Sequence, residues 1–438
     1  MKKVICLVLS VLLICAMPLG LAGCGGNTGG TQGEPHDPGC WIIPPPDDGA
    51  MTDLMQGIAA KTPIGVSDLA MDSARLTDFG LRLFQAGKKD GENTLISPLS
   101  VLCALAMTTN GAKEETRAQM ETVLGMKAED LNEYLYSYMK GLPRSETCKL
   151  DLANSIWFTD DDSFAVNRDF LQTNADYYGA DLYQAPFNDA TCRAINDWVK
   201  EKTDGMIPQI LDHIPADAVM YLVNALAFDA QWASPYNENQ VRENLFTRED
   251  GTKETVELLF DREHVYLETE NAAGFLKYYD GDEYAFAALL PNEGVTVAEL
   301  VDSLTGAELH ELLTHPEDVP VETAIPKFES DYSAELSDVL RDMGMPLAFD
   351  GDRADFTDLG IADWNIYISR VLHKTFISVG EKGTRAGAAT VVEMAKNTSF
   401  MPPEEVKTVF LDRPFVYMLV DCRTGTPFFI GTMMNPGE

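Results

Sequence analysis

From about Ser67 to Glu438 the chain runs for roughly 370 residues at high apolar content, with no second Pro/Gly-rich gap long enough to act as a linker. That continuity allows one large domain and argues against several small ones, and no internal repeat subdivides it. The residues ahead of it differ in kind. Lys2 and Lys3 precede an apolar run from Val4 to Met17, the layout of an export signal too short to remain as a membrane span. From Gly25 to about Thr62 the composition turns to Gly, Pro, Asp and Asn, including Pro44-Pro45-Pro46, which reads as a tether. The expected organisation is a signal over 1–23, a tether over 24–66 and a domain over 67–438.

Acidic residues outnumber basic ones by 69 to 33, a formal charge of −36, which disfavours any surface that tracks phosphates and so excludes nucleic acid as a partner. Of eight cysteines, Cys6 and Cys15 fall within the signal and Cys24 at its boundary. Cys40, Cys103, Cys148, Cys192 and Cys422 remain, an odd number at spacings that fit neither a zinc pair nor a disulfide framework, so free and mostly buried thiols are expected.

Within the domain, Leu69, Leu76, Phe79, Leu83 and Phe84 predict an amphipathic helix over 68–86. A second follows Ser97-Pro98, with serine as cap and proline in the first turn. Further helices are predicted over 113–124, 128–140, 167–178, 188–203, 296–315 and 333–343. Strands are predicted over 149–158, 219–228, 274–290, 366–380, 405–410, 415–421 and 427–433. Helices dominate the first third and strands the last without regular alternation, so the fold class is α+β with large mixed or antiparallel sheets.

Enzyme-like motifs are absent: there is no Gly-x-Ser-x-Gly elbow and no phosphate loop. His310 and His315 are five residues apart, which turns the second roughly 140° from the first and spoils a helical zinc pair, so no metal and no cofactor is expected. The informative stretch is 373–415. From Gly383 its side chains become small and continue to Pro402-Pro403, a long loop with strand chemistry. Read with a period of two, Thr384, Ala386, Ala388, Thr390, Val392 and Met394 share one uncharged face, while Arg385 and Glu393 take the other. Such a segment suits both a solvated loop and a half-buried strand.

The sequence Glu381-Lys382-Gly383-Thr384 followed by Arg-Ala-Gly-Ala-Ala-Thr resembles the hinge and proximal reactive-centre loop of the serpins. Phe410-Leu411-Asp412-Arg413-Pro414-Phe415 is similar to that family's C-terminal signature, and Phe428-Phe429-Ile430-Gly431 to its last strand. The likeness extends from about residue 68 to the end, through NTLISPLS at 93–100, NDWVKEKTDG at 196–205, NALAFDAQW at 224–232 and Pro326-Lys327-Phe328. It implies three β-sheets, one of them a large central sheet, with eight to nine helices and an exposed loop at about 382–404. It also implies a shutter of Ser97, Ser100, Asn224 and His373, a breach at Trp232, and a hinge of Glu381, Gly383, Thr384, Ala386, Ala388 and Thr390. The same serines and histidine invite a hydrolase reading, but serines opening an apolar helix and a histidine beginning a strand are expected to be buried and to satisfy one another.

The resemblance further implies inhibition of serine proteases by a suicide-substrate route, with no activity as an enzyme. The loop is cut, an acyl-enzyme forms, and residues 384 to about 396 insert into the central sheet, a reach of roughly 40 Å for thirteen residues. Two counts for the scissile bond differ: sixteen residues beyond Glu381 gives Asn397-Thr398, and anchoring on Pro402-Pro403 gives Ser399-Phe400, with Lys396 and Met394 also open. The implied partners are elastase-like, trypsin-like or subtilisin-like proteases, with cysteine proteases as a further class, acting on a monomer. Arg385 departs from the family, which usually carries Glu there. Leu21-Ala22-Gly23-Cys24 resembles the bacterial lipobox, implying a lipidated Cys24, a membrane contact through that anchor alone and an extracellular or cell-surface location; a plain secretory signal is the alternative. For the domain the competing readings are a non-inhibitory binding protein of the same fold and a solute-binding surface lipoprotein.

Overall fold

A computed structural model describes residues 41–42, 51–215, 218–384 and 406–437. Two short strands, β1 (Trp41–Ile42) and β2 (Thr52–Asp53), precede helix α1 (Ala70–Gly87) and strand β3 (Thr94–Ile96). Leu76, Phe79, Leu83 and Phe84 of α1 are all buried, as their spacing predicts. Ser97 caps α2 (Pro98–Thr109), its side chain accepting from Ser100 N while Pro98 occupies the first turn. Every residue of α2 is buried, which makes it the central helix of the domain.

Next come α3 (Glu114–Leu124), α4 (Ala128–Lys140), β4 (Cys148–Thr159), β5 (Ala165–Asn167), α5 (Arg168–Tyr178), β6 (Asp181–Ala185), α6 (Asp189–Lys202) and β7 (Met220–Gln231). Strands β8 (Val241–Thr247), β9 (Lys253–Glu268), β10 (Ala272–Tyr278) and β11 (Tyr284–Pro291) follow. The single strand predicted over 274–290 is thus a hairpin, because Gly281 and Asp282 at positive φ reverse the chain.

The single helix predicted over 296–315 is likewise two, α7 (Val297–Ser303) and α8 (Gly306–Thr314), since Thr305 and Glu308 form a capping box that starts a new helix. Strands β12 (Glu317–Pro326) and β13 (Phe328–Glu335) precede α9 (Ser337–Met343). The helix predicted from 333 therefore begins late: in β13 Phe328, Ser330 and Tyr332 face inward and alternate with exposed Glu329, Asp331 and Ser333. The chain ends with β14 (Gly360–Ile361), β15 (Arg370–Gly380), β16 (Gly383–Thr384), β17 (Lys407–Phe410), β18 (Phe415–Asp421) and β19 (Thr426–Met433).

Among the described residues these form three sheets. The central one has seven strands in the order β13-β15-β16-β7-β4-β6-β2; a nine-stranded sheet runs β17-β12-β9-β10-β11-β18-β19-β3 with β8 beside β9; β1, β5 and β14 make a small third. The class is α+β, as predicted. Helix α2 lies between the two large sheets, touching β7 and β19. Helix α6 covers the other face of the central sheet, where Ile195, Trp198 and Val199 pack with Trp157, Tyr221 and Val223.

Part of the stretch assigned to the tether is built into this framework. Strand β2 pairs antiparallel with β6, Leu54 N donates to Leu182 O at 2.9 Å, and Leu54 is 3% exposed. Gln172 donates to Ala59 O at 2.9 Å and Lys61 N to Asp176 Oδ1 at 2.6 Å, fastening the chain to α5. No helix among the described residues is long and apolar enough to cross a membrane.

Candidate functional site

Strands β15 and β7 meet along a seam. At one end they pair directly in parallel, Arg370 with Tyr221, Val371 with Leu222 and Leu372 with Val223. At the other end the two residues of β16 sit between them, Thr384 opposite both Val379 and Ala230, and Gly383 opposite Gly380 and Gln231. Between these ends, 224–229 and 373–378 face each other across the seam with no ladder pair among the described residues.

Gly383 adopts φ +153°, and a Cβ there would lie 2.0 Å from Ala230 O, so only glycine fits where the chain turns into the seam. Thr384 is buried and its hydroxyl is hydrogen-bonded to that of Tyr279. Trp232 stacks on Tyr279 with ring centres 4.5 Å apart, and its indole donates to Gly380 O at 2.9 Å. Glu381 pairs with Lys327 at 2.8 Å, and Lys327 with Glu257 at 2.8 Å. The Lys327 ammonium holds the Glu381 carboxyl below its usual range. Of the residues assigned to hinge and breach, Glu381, Gly383, Thr384 and Trp232 stand together at the entrance of the seam.

Deeper along it, His373 on β15 is buried and Ser97 N donates to its Nε2 at 3.1 Å. Burial pulls its pKa down to about 4, and no charged group contributes. The ring is therefore neutral with its Nε2 lone pair already engaged by a backbone amide, which leaves it unfit to deprotonate a serine. Ser97 and Ser100 open α2 beneath, and Asn224 donates to the side chain of Asn154 on β4. Thr375, on the same face as His373, donates to Leu95 O at 2.8 Å. Asn154, Tyr279 and Thr375 were not picked out from sequence. Asn154 and Thr375 left a trace, each a polar residue in a strand at the inward parity; Tyr279, at a hairpin end, left none.

Cys24 and the loop residues Ala386, Ala388, Thr390, Met394, Lys396, Asn397, Thr398, Ser399 and Phe400 lie outside the described residues. Cys103, Cys148 and Cys192 are buried free thiols, and Cys422 is partly buried and free. Burial pushes the Cys148 and Cys422 thiols up to about 12. His310 faces Thr77 of α1 while His315 pairs with Glu311, so the two imidazoles have different neighbours.

A seven-stranded central sheet with the two-residue strand β16 set between β15 and β7, laid over a fully buried helix, defines the class of α+β domain. The sequence profile described as "Serpin (serine protease inhibitor)" matches residues 74–436, and the chain belongs to that family. It is 30% identical over 371 residues to an uncharacterized serpin-like protein of Thermococcus kodakarensis, covering 83% of this chain and 85% of the relative. Human Serpin B8 is 32% identical over 374 residues, covering 82% and 97%. The native-state crystal structure of the thermophilic serpin tengpin, 45% identical, superposes with a TM-score of 0.83 over 88% of this chain and 99% of that one. Its latent-state structure covers 85% and 100% with a TM-score of 0.75.

Proposed function

We propose that the protein inhibits serine proteases by presenting the segment after Thr384 as a substrate and then inserting it into the seam as a new strand, carrying the acylated protease with it. The observation behind this reading is the register of β16. Continued one residue at a time, it sets Thr390 between Asn224 and His373, residue 391 between Val223 and Leu372, and Glu393 between Tyr221 and Arg370. Residues 385–390 match the length of the unpaired stretch; those beyond must separate the three closed pairs.

Side-chain chemistry agrees with that register. Thr384 faces inward, so Ala386, Ala388, Thr390, Val392 and Met394 follow it onto the buried face. Arg385 falls opposite Asp229 and Glu393 opposite Arg370, each charge meeting its opposite on a neighbouring strand. The departure at Arg385 is thereby matched by an acidic residue in the sheet. That tengpin has been crystallised in both native and latent states supports a fold of this kind having two stable arrangements. We further propose that the chain is held at a bacterial cell surface by a lipid on Cys24.

The decisive experiment incubates the protein with elastase-like, trypsin-like and subtilisin-like proteases and scores adducts that survive denaturant, with mass spectrometry of the released C-terminal peptide. A trapped protease and a peptide starting within 395–400 support the reading, and Thr384→Arg is expected to convert trapping into simple cleavage. Cleavage without adduct across the whole panel overturns it. For the anchor, detergent-extracted protein should begin at a diacylglyceryl-modified Cys24, and Cys24→Ala should move it to the soluble fraction.

A further inference from the structure

The aromatic roof over the hinge rests on a buried charge. Lys277 lies near the end of β10 with 2% of its side chain exposed, and its Nζ is 3.1 Å from Asp261 Oδ2 and 2.7 Å from Glu263 Oε1, both on β9. The backbone ladder between β10 and β9 covers only Ala273, Gly274 and Phe275, so the Lys277 side chain bridges the two strands just beyond the point where they part. The same ammonium sits 4.4 Å from the ring centre of Tyr236 and 5.6 Å from that of Trp232.

Both aromatic residues hold the hinge through their backbones. Trp232 N donates to Lys382 O at 2.8 Å and Tyr236 N to Glu381 O at 2.9 Å, while the Trp232 indole reaches Gly380 O at 2.9 Å. Gln240 donates to Asp261 Oδ1 at 3.2 Å, tying the carboxylate to the far side of the same loop. An ammonium this deeply buried is tolerated only with close partners, and removing it leaves Asp261 and Glu263, 20% and 15% exposed, facing each other across a partly dry site.

We infer that Lys277 is a positioning residue of the hinge: it fixes the 232–236 segment, and through it the carbonyls of 380–382, in the arrangement that precedes insertion. The inference rests on the insertion reading above. Its role is kinetic, because the contacts it organises are made before the loop enters the seam.

The test uses the full chain and a protease that the parent traps. Parent, Lys277→Met and Lys277→Arg are held at 37 °C without protease, and samples are titrated over time for remaining adduct-forming capacity. Lys277→Met is expected to trap normally when fresh and to lose capacity about tenfold faster than the parent, with Lys277→Arg restoring most of the lifetime because it keeps the charge. Glu263→Gln, which leaves the ammonium one carboxylate, should shift the lifetime the same way by a smaller factor and serves if Lys277→Met does not fold. Equal lifetimes in a trapping parent and its variants, or no rescue by Lys277→Arg, overturn this inference alone. A parent that forms no adduct overturns the insertion reading and this inference with it.

Discussion

His373 is neutral in the folded protein because burial opposes its charge, and this makes it a pH-dependent element of stability. In the unfolded chain the imidazole takes a proton near pH 6.5, whereas in the fold it resists until about pH 4. Between those values the unfolded state binds the extra proton, so stability falls as pH drops through that window, by up to about 3 kcal/mol at the acid limit. Urea unfolding of the parent and His373→Gln at pH 7 and pH 4.5 checks this: the variant should lose less stability than the parent over the interval. Asp229 carries a second prediction. If Arg385 comes to rest opposite it, Asp229→Lys creates a like-charge pair and slows insertion, raising the number of inhibitor molecules cleaved per protease trapped about two- to fivefold. The exchange Asp229→Arg with Arg385→Glu should bring that ratio back, measured by titration of protease activity.

Strands and helices carry the next level of control. Helix α2 is buried on all sides, so its serines and the β15 histidine have no water to turn to and must bond within the core. Strand β2 supplies what the edge strand β6 lacks, a partner for its outer row of amides and carbonyls. Leu54 then plugs into the core beside it. Leu54→Ala is expected to cost about 2 kcal/mol, read as a lower urea midpoint at unchanged slope. A parental midpoint would mean that the segment lies on the surface without contributing to the fold. The hairpin at Gly281 and the helix break at Thr305 belong to the same level, where a local turn or cap decides whether a long apolar pattern is one element or two.

At the scale of the whole molecule, the facing edges of the seam over 224–229 and 373–378 have no ladder pair with each other or with β16 among the described residues. Under the proposed insertion, cutting the loop near 397 would free the segment to fill that seam. About a dozen new ladder bonds at roughly 1 kcal/mol each, at about 2 °C per kcal/mol for a domain of this size, raise the melting temperature on the order of 20 °C. Calorimetry of intact and loop-cleaved protein checks this, and coincident transitions would count against insertion. On that proposal the intact form would be held by a barrier and not by equilibrium.

The α+β class and most helices were legible in the chain because each rests on a local signal, whereas the hinge, shutter and breach assignments rest on the likeness of short motifs to the serpins. Ser97-Pro98 is a cap with proline in the first turn, and the alternation after Thr384 is a matter of parity. Strand β9 was missed, since its exposed charges hide the strand period. What only the tertiary structure decided were the relations between distant segments: β2 on β6, Asn154 against Asn224, Tyr279 on Thr384, and Lys277 between two strands and two rings. None of these has a sequence signature, because the partners are separated by tens to hundreds of residues and each is chosen by the register of the sheet. The register of β16, fixed by which side chains the core accepts, is also what the proposed insertion extends, setting Arg385 opposite Asp229 and Thr390 opposite His373 in that proposal.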